Sequence, residues 1–311
     1  MPELPEVETI VRTLRPRAVN AWIVSVNLLR GDMVEPADTN LGEVLAGRRV
    51  SAIDRRGKRI IMSLEPAGQL VIRLGMTGRL TLHPLETPLR VHTHLVLQLG
   101  SATVGEAGFE IHFCDPRRFG DIRWLASGER PDAGLGPEPL TIRQARLGQA
   151  LSRTGRAIKS ALLDQSVIAG LGNIYVDESL FLAGIHPLTP ADTLCADQVR
   201  TLRSAIVSTL RKAIKHRGST LRDYVDAAGG KGSFQKFHNV YGKSSQACPN
   251  CAATIQRIVL GGRSTCYCPR CQPAASRRSR PKGRRESPYR PPKASATNRT
   301  PRDRTPRVVG S

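Results

Sequence analysis

Apolar residues first recur at helical spacing. Val7, Ile10, Val11 and Leu14 follow Leu4-Pro5-Glu6, and Arg15-Pro16 is expected to end the run. Pro5 suits a first helical turn, and Glu6 and Glu8 suit its positive end, so the pattern predicts a helix that anchors the start of the chain. Short β-rich runs with turn residues between them then cover 22–29, 58–64, 69–74, 94–99, 110–114 and 121–125. Their alternation predicts an antiparallel sandwich or barrel. Residues 127–137 have the Gly/Pro composition of a linker. Helical patterns dominate from about 142 to 217, including 197–216. Residues 272–311 hold seven prolines, many Ser, Thr and Arg, and almost no apolar pattern, so disorder is expected there.

Charge narrows the partners. Lys and Arg number 47 against 26 Asp and Glu, a formal net charge of +21. Residues 272–311 carry 12 basic and 2 acidic residues, a net +10, which leaves +11 on residues 1–271. The body is therefore basic in its own right, the footprint of a polyanion binder. No apolar stretch reaches spanning length and no signal-peptide pattern opens the chain, so no membrane association and a cytoplasmic location are expected.

The cysteines carry the strongest spacing signal. Cys248-Pro249-Asn250-Cys251 and Cys268-Pro269-Arg270-Cys271 are two Cys-x-x-Cys knuckles, the pattern of a closed tetrahedral site for one structural zinc. Cys266 is a rival ligand, but both knuckles read Cys-Pro-x-Cys, which favours Cys268. Between them, 254–260, Gly261-Gly262 and 263–267 read as strand, tight turn and strand. So small a hairpin needs the metal to hold it, and its turn presents Arg263, a planar cation suited to phosphate.

Two further features carry chemistry. Removal of Met1 would make Pro2 a free secondary amine with an α-amino pKa near ~8, nucleophilic at neutral pH and able to form an iminium on a sugar carbon. Gly170-Leu171-Gly172-Asn173 places a glycine-rich turn at an expected helix start, where backbone N–H groups and the Asn173 amide suit a phosphate. The helix that follows is expected to close at Gly184 and Pro187.

Together with Arg56-Gly57-Lys58, Leu74-Gly75-Met76-Thr77-Gly78, Asp115-Pro116-Arg117-Arg118-Phe119-Gly120 and Gly262-Arg263, these motifs resemble formamidopyrimidine-DNA glycosylase in order over residues 2–272. The resemblance implies an α+β multidomain chain. Residues 2–130 would form an N-terminal β-sandwich, 131–141 a linker, and 142–235 a helical domain with a helix–two-turn–helix. A zinc finger over 236–272 and a disordered basic tail over 273–311 would complete it.

It also implies a bifunctional DNA glycosylase and AP lyase of base-excision repair, acting as a monomer on duplex DNA with oxidised purines or abasic sites. Pro2 would be the nucleophile, Glu3 the proton donor, Lys58 an aid to elimination and Arg263 a phosphate grip. Met76, Arg117 and Phe119 would fill the void left by an extruded nucleotide. His92, Arg117, Arg153, Thr154 and Asn173 would contact DNA, although Thr154 and Gly155 stand where lysine is expected. Two alternatives stay open: an endonuclease VIII-like enzyme for oxidised pyrimidines, and a non-catalytic zinc-dependent DNA-binding protein.

Overall fold

The computed structural model describes residues 2–101 and 107–274. The expected basic tail lies outside the described residues from 275 onward. Helix α1 spans Leu4–Ala18 and buries Leu4, Val7, Ile10, Val11 and Leu14. It runs through Pro16 rather than ending there. Pro16 is exposed in the last turn, so the one hydrogen bond it forgoes leaves the Arg12 carbonyl to solvent.

Strands β1 (Trp22–Leu28), β2 (Val34–Glu35), β3 (Arg49–Arg56), β4 (Arg59–Glu65), β5 (Gln69–Arg73), β6 (Arg79–His83), β7 (Thr93–Gly100), β8 (Ala107–Cys114) and β9 (Asp121–Leu125) form one sheet; a short helix α2 (Leu41–Leu45) lies between β2 and β3. The strand order is β2-β9-β5-β4-β3-β1-β7-β8-β6, antiparallel except for the parallel β2–β9 pair. β1 and β3 share a single register pair, Trp22↔Arg49, and this thin joint is the crease of the sheet. Ile60, Met62, Leu70 and Ile72 from one half meet Leu95, Leu97, Ile111 and Phe113 from the other, and α1, in one core. The sandwich is therefore a single ladder folded on itself.

A second core gathers helices α3 (Gln144–Leu151), α4 (Ile158–Leu163), α5 (Asn173–Ala183) and α6 (Ala196–Lys215). Helix α5 is buried at every position from Ile174 to Phe181, as a helix apolar around most of its circumference must be. Gly184 ends it in the left-handed region, with the Ile185 N–H returning to the Leu180 carbonyl. Leu4 belongs to this second core while Val7 belongs to the first, so the opening turn of α1 is shared between them. Tyr224 and Ala227, beyond α6, pack back into the sandwich core.

The last unit is the hairpin β10 (Gln256–Leu260) and β11 (Arg263–Tyr267), with Gly261 and Gly262 both at positive φ. It is tied to α5 by buried charge. Lys159 pairs with Asp177 at 2.7 Å with both side chains enclosed, and the other Asp177 oxygen accepts the Cys266 N–H. The Glu178 carboxylate accepts the N–H groups of Asn239, Val240 and Tyr241.

Candidate active site

The start of α1 is held by buried contacts to α5. Glu3 is 2% exposed, and its carboxylate accepts the backbone N–H groups of Ile174 at 3.0 Å and Tyr175 at 3.4 Å, on the first turn of α5. The glycine-rich turn exists for this approach: a Cβ on Gly172 would stand 2.3 Å from Glu3 Cδ. Gly170, at φ +85°, accepts the Leu4 N–H. The helix N-terminus expected to seat a phosphate therefore commits these two N–H groups to a carboxylate of the same chain. Burial pushes the Glu3 carboxyl up, against the Lys58 charge and the two N–H donors that favour ionisation.

Glu6 makes a second buried anchor. One oxygen accepts the Glu3 N–H at 2.8 Å; the other accepts the Tyr175 hydroxyl and the Ser219 N–H, the latter at 2.7 Å. Burial, reinforced by Glu3, pushes its carboxyl up to about 7. Pro2 is thereby fixed in the wall between two cavities.

One cavity, about 490 Å³, is lined by Pro2, Met76, Arg117, Ser219, Tyr224 and Tyr241 among others. The second, about 350 Å³, meets Pro2 with Lys58 and Arg263. The structure thus brings Pro2, Lys58 and Arg263 to one space. Lys58 follows a turn wedged against the linker. Glu138 accepts the Gly57 N–H at 2.6 Å and pairs with Arg55 and Arg56, while a Cβ on Gly57 would meet Ala169 at 3.2 Å. Burial lowers the Lys58 pKa, opposed by Glu3 and Glu6. Arg263 follows the glycine turn, and the next carbonyl, that of Ser264, accepts both Lys159 Nζ at 3.0 Å and Asn173 Nδ2 at 2.9 Å.

Met76 and Phe119 are 41% and 49% exposed, so neither is packed into a core. Arg117 lies over the Phe119 ring, 4.6 Å from its centroid. Buried Asp115 shapes their loop by accepting the N–H groups of Arg117, Phe119 and Gly120. His92 is exposed, held at φ 70°, and its carbonyl accepts the Asp115 N–H. Arg153 and Thr154 line neither of these two cavities but a third of about 470 Å³ beside Arg146 and Arg156.

The four knuckle cysteines converge. Their sulfurs all lie within 4.8 Å of one another, with 3.8 Å between Cys248 and Cys271 and 3.5 Å between Cys251 and Cys268. Those spacings far exceed a disulfide bond and match the edge of a tetrahedron with Zn–S bonds of about 2.3 Å. Cys266 stands outside the group, on the strand between the knuckles. The set is that of one structural zinc.

Sequence reasoning missed Glu6, Asp115 and the Lys159–Asp177 pair. Glu6 and the Lys159–Asp177 pair are enclosed by segments distant in the chain, and Asp115 by its own loop together with Thr77. No local spacing marks such burial.

Comparison with known proteins agrees with this geometry. The family model for the formamidopyrimidine-DNA glycosylase N-terminal domain matches residues 1–122, that for its H2TH domain matches 135–225, and the zinc finger found in FPG and IleRS matches 245–274. Formamidopyrimidine-DNA glycosylase of Roseiflexus sp. (strain RS-1) is 45% identical over 278 residues, covering 88% of this chain and all of that protein. Two solved structures of the Lactococcus lactis enzyme are 35% identical. One, a point mutant in complex with a Fapy-dG containing DNA, has a TM-score of 0.81 and covers 88% of this chain and 100% of that one. The other, with an abasic site containing DNA, has a TM-score of 0.80 and covers 87% and 99%. Three family models in chain order, on a body whose first residues are locked into its helical core, settle the assignment: the chain belongs to the formamidopyrimidine-DNA glycosylase family and is a zinc-finger DNA glycosylase of base-excision repair.

Proposed function

We propose that the chain excises oxidised purines, 8-oxoguanine and formamidopyrimidines, through a Schiff base at Pro2 and then cleaves the strand by β,δ-elimination. The observation that carries this is the position of Pro2 between two cavities of different character. The first, with Met76, Arg117, Tyr224 and Tyr241, suits an extruded base; the second, with Lys58 and Arg263, suits the phosphates beside it. Once Met1 is removed, the Pro2 nitrogen attacks C1′ and the glycosidic bond breaks, its electron pair leaving with the base. Glu3, whose burial favours the protonated carboxyl, supplies the proton that the departing base needs.

The amine proton is lost and the C1′–O4′ bond opens, O4′ taking a proton, so the C1′–N bond becomes an iminium that acidifies the C2′ proton. Its loss expels the 3′ phosphate oxygen with the C3′–O bond pair, and a second elimination breaks the C5′–O bond. Lys58, with its lowered pKa, assists the proton transfers, and Arg263 neutralises the departing phosphates. Met76, Arg117 and Phe119 occupy the vacated stack. His92, Arg117, Arg153, Thr154 and Asn173 meet the DNA, Asn173 in part by fixing the Arg263 strand.

Residues 2–130, 142–235 and 236–272 act as sandwich, helical and zinc-finger domains of a cytoplasmic monomer, with 131–141 linking the first two. No helix among the described residues is long and apolar enough to cross a membrane. Borohydride tests the reading. It should trap the protein on an 8-oxoguanine:C duplex, and Pro2→Gly should reduce trapping sharply. A Pro2→Gly protein that traps and cleaves like the parent refutes it. Preference for a thymine-glycol duplex would favour the endonuclease VIII-like alternative.

A further inference from the structure

The second cavity extends well past Pro2, Lys58 and Arg263. Its far wall is the outward face of the β4–β5–β9 end of the sheet. Register pairs Arg59 with Arg73 across β4 and β5, and Val71 with Arg123 across β5 and β9, so three arginines from adjacent strands share that face. The opposite face of the same strands is the sandwich core. With Arg130, six cationic side chains line the cavity against two carboxylates, Glu35 and Asp121. Both carboxylates are engaged in partly exposed pairs, Glu35 with Arg123 and Asp121 with Arg73. Such pairs are weak, and an incoming anion exchanges with them readily. Arg59 has no hydrogen-bonded carboxylate among the described residues and donates instead to the Pro131 carbonyl. Burial, and then the repulsive fields of Arg123 and Arg73, lower its pKa against the opposing charge of Asp121. The same face carries the small buried cluster of Ile61, Val71 and Leu125 beside the arginines, and the like charges held around it are relieved by a bound anion.

We propose that Arg59, Arg73 and Arg123 form a phosphate seat that grips the lesion strand beside the reacting nucleotide. This rests on the Pro2 reading, because the seat and Pro2 share one cavity. Before cleavage the ligand is a backbone phosphodiester. After elimination it is a terminal phosphomonoester, which carries about −1.5 to −2 charge at pH 7 where the diester carries one. The seat therefore holds the cut strand more tightly than the intact one. Release of the product then awaits the class of reaction that consumes it, hydrolysis of a terminal phosphate or extension and sealing across the gap.

The test compares binding to intact duplex and to two one-nucleotide gapped duplexes, one bounded by phosphates and one by hydroxyls, for the parent, Arg59→Gln/Arg123→Gln and Arg59→Lys/Arg123→Lys. The Gln double variant should bind the phosphate-bounded gap about tenfold more weakly at ~0.1 M salt, and its salt slope should fall by about one for each phosphate no longer neutralised. The Lys double variant keeps both charges and should bind clearly more tightly than the Gln variant, which separates charge from folding. A defect confined to the phosphate-bounded gap identifies the terminal monoester as the ligand; an equal defect on all three identifies the internal diester. A Gln variant that binds all three like the parent, or a Lys variant as weak as the Gln variant, overturns the seat. Borohydride trapping of the parent is scored separately, so failure of the Pro2 chemistry is visible without touching the binding result.

Discussion

The Glu3 carboxylate accepts the Ile174 N–H at 3.0 Å across 171 residues of chain. That bond places the proposed acid on the positive end of α5 and fixes Pro2 through the adjoining peptide. A neutral amide at position 3 cannot donate a proton to a departing base. Glu3→Gln should therefore slow base excision by about a hundredfold or more, the scale of general acid catalysis. Cleavage of a ready-made abasic site needs no such proton and should fall much less. Single-turnover rates on the two substrates check this.

Gly172 is the complementary handle. A methyl group at Gly172→Ala enters the space of the Glu3 carboxyl, 2.3 Å from Cδ, and one of them must move. Overpacking of this kind costs about 1–3 kcal/mol. Thermal melting should show a cost of that order, and trapping on lesion duplex should fall far more than the melt implies, because the displaced group carries Pro2.

Glu6 predicts a pH dependence of stability. Its folded pKa of about 7 lies above the ordinary carboxyl value of 4.5, so the folded state holds the proton more firmly than the unfolded chain. The stabilisation is complete below about 4.5 and is lost as pH rises toward 7, on the order of 3 kcal/mol across that window. Replacement by Gln removes the titration. The melting-temperature difference between Glu6→Gln and the parent should grow in favour of the variant from about pH 5 to 7 and be flat well above the folded pKa.

Lys159 and Asp177 form an ion pair with side-chain exposures of 0% and 1%. Removing one partner leaves a buried charge, a loss of about 3–5 kcal/mol. Lys159→Met should destabilise the protein on that scale, and Lys159→Met/Asp177→Leu should recover most of it. Because Lys159 also fixes the Ser264 carbonyl, the double variant should still bind lesion DNA less tightly than the parent.

Metal content should be about one zinc per chain. Cys266→Ser should keep it and Cys268→Ser should lose it, as measured by metal analysis of the purified proteins. Chelation should abolish lesion binding while the sandwich core keeps most of its melting transition, since the hairpin's cysteine cluster is separate from that core.

Features written in local spacing are legible in the sequence: the paired knuckles, the α1 stripe, the Gly184 stop and the glycine turn before Arg263. Strand β3 is not. Arginines at 49, 55 and 56 and a register shift between Val50 and Ala52 hide its alternation, and the strand is fixed instead by its ladder to β4. Strand β6 escapes for a similar reason, with Arg79, Thr81 and His83 on one face and two leucines on the other. At the site, Pro2, Lys58 and Arg263 are legible as motif residues and meet in one cavity, whereas the use of the first N–H groups of α5 is not legible from the glycine-rich turn. Those N–H groups are claimed by Glu3, a partner that no window around residue 172 contains.

The split of α1 between two cores also bears on how the protein is made. Residues 2–6 leave the ribosome long before residues 170–175, and at ordinary synthesis rates the interval is on the order of ten seconds or more. During it the sandwich helix has neither the Gly170 carbonyl nor the α5 turn to close upon. The proposed reactive end is thus synthesised early and assembled late, and a nascent chain carries Pro2 before the pocket proposed for it exists.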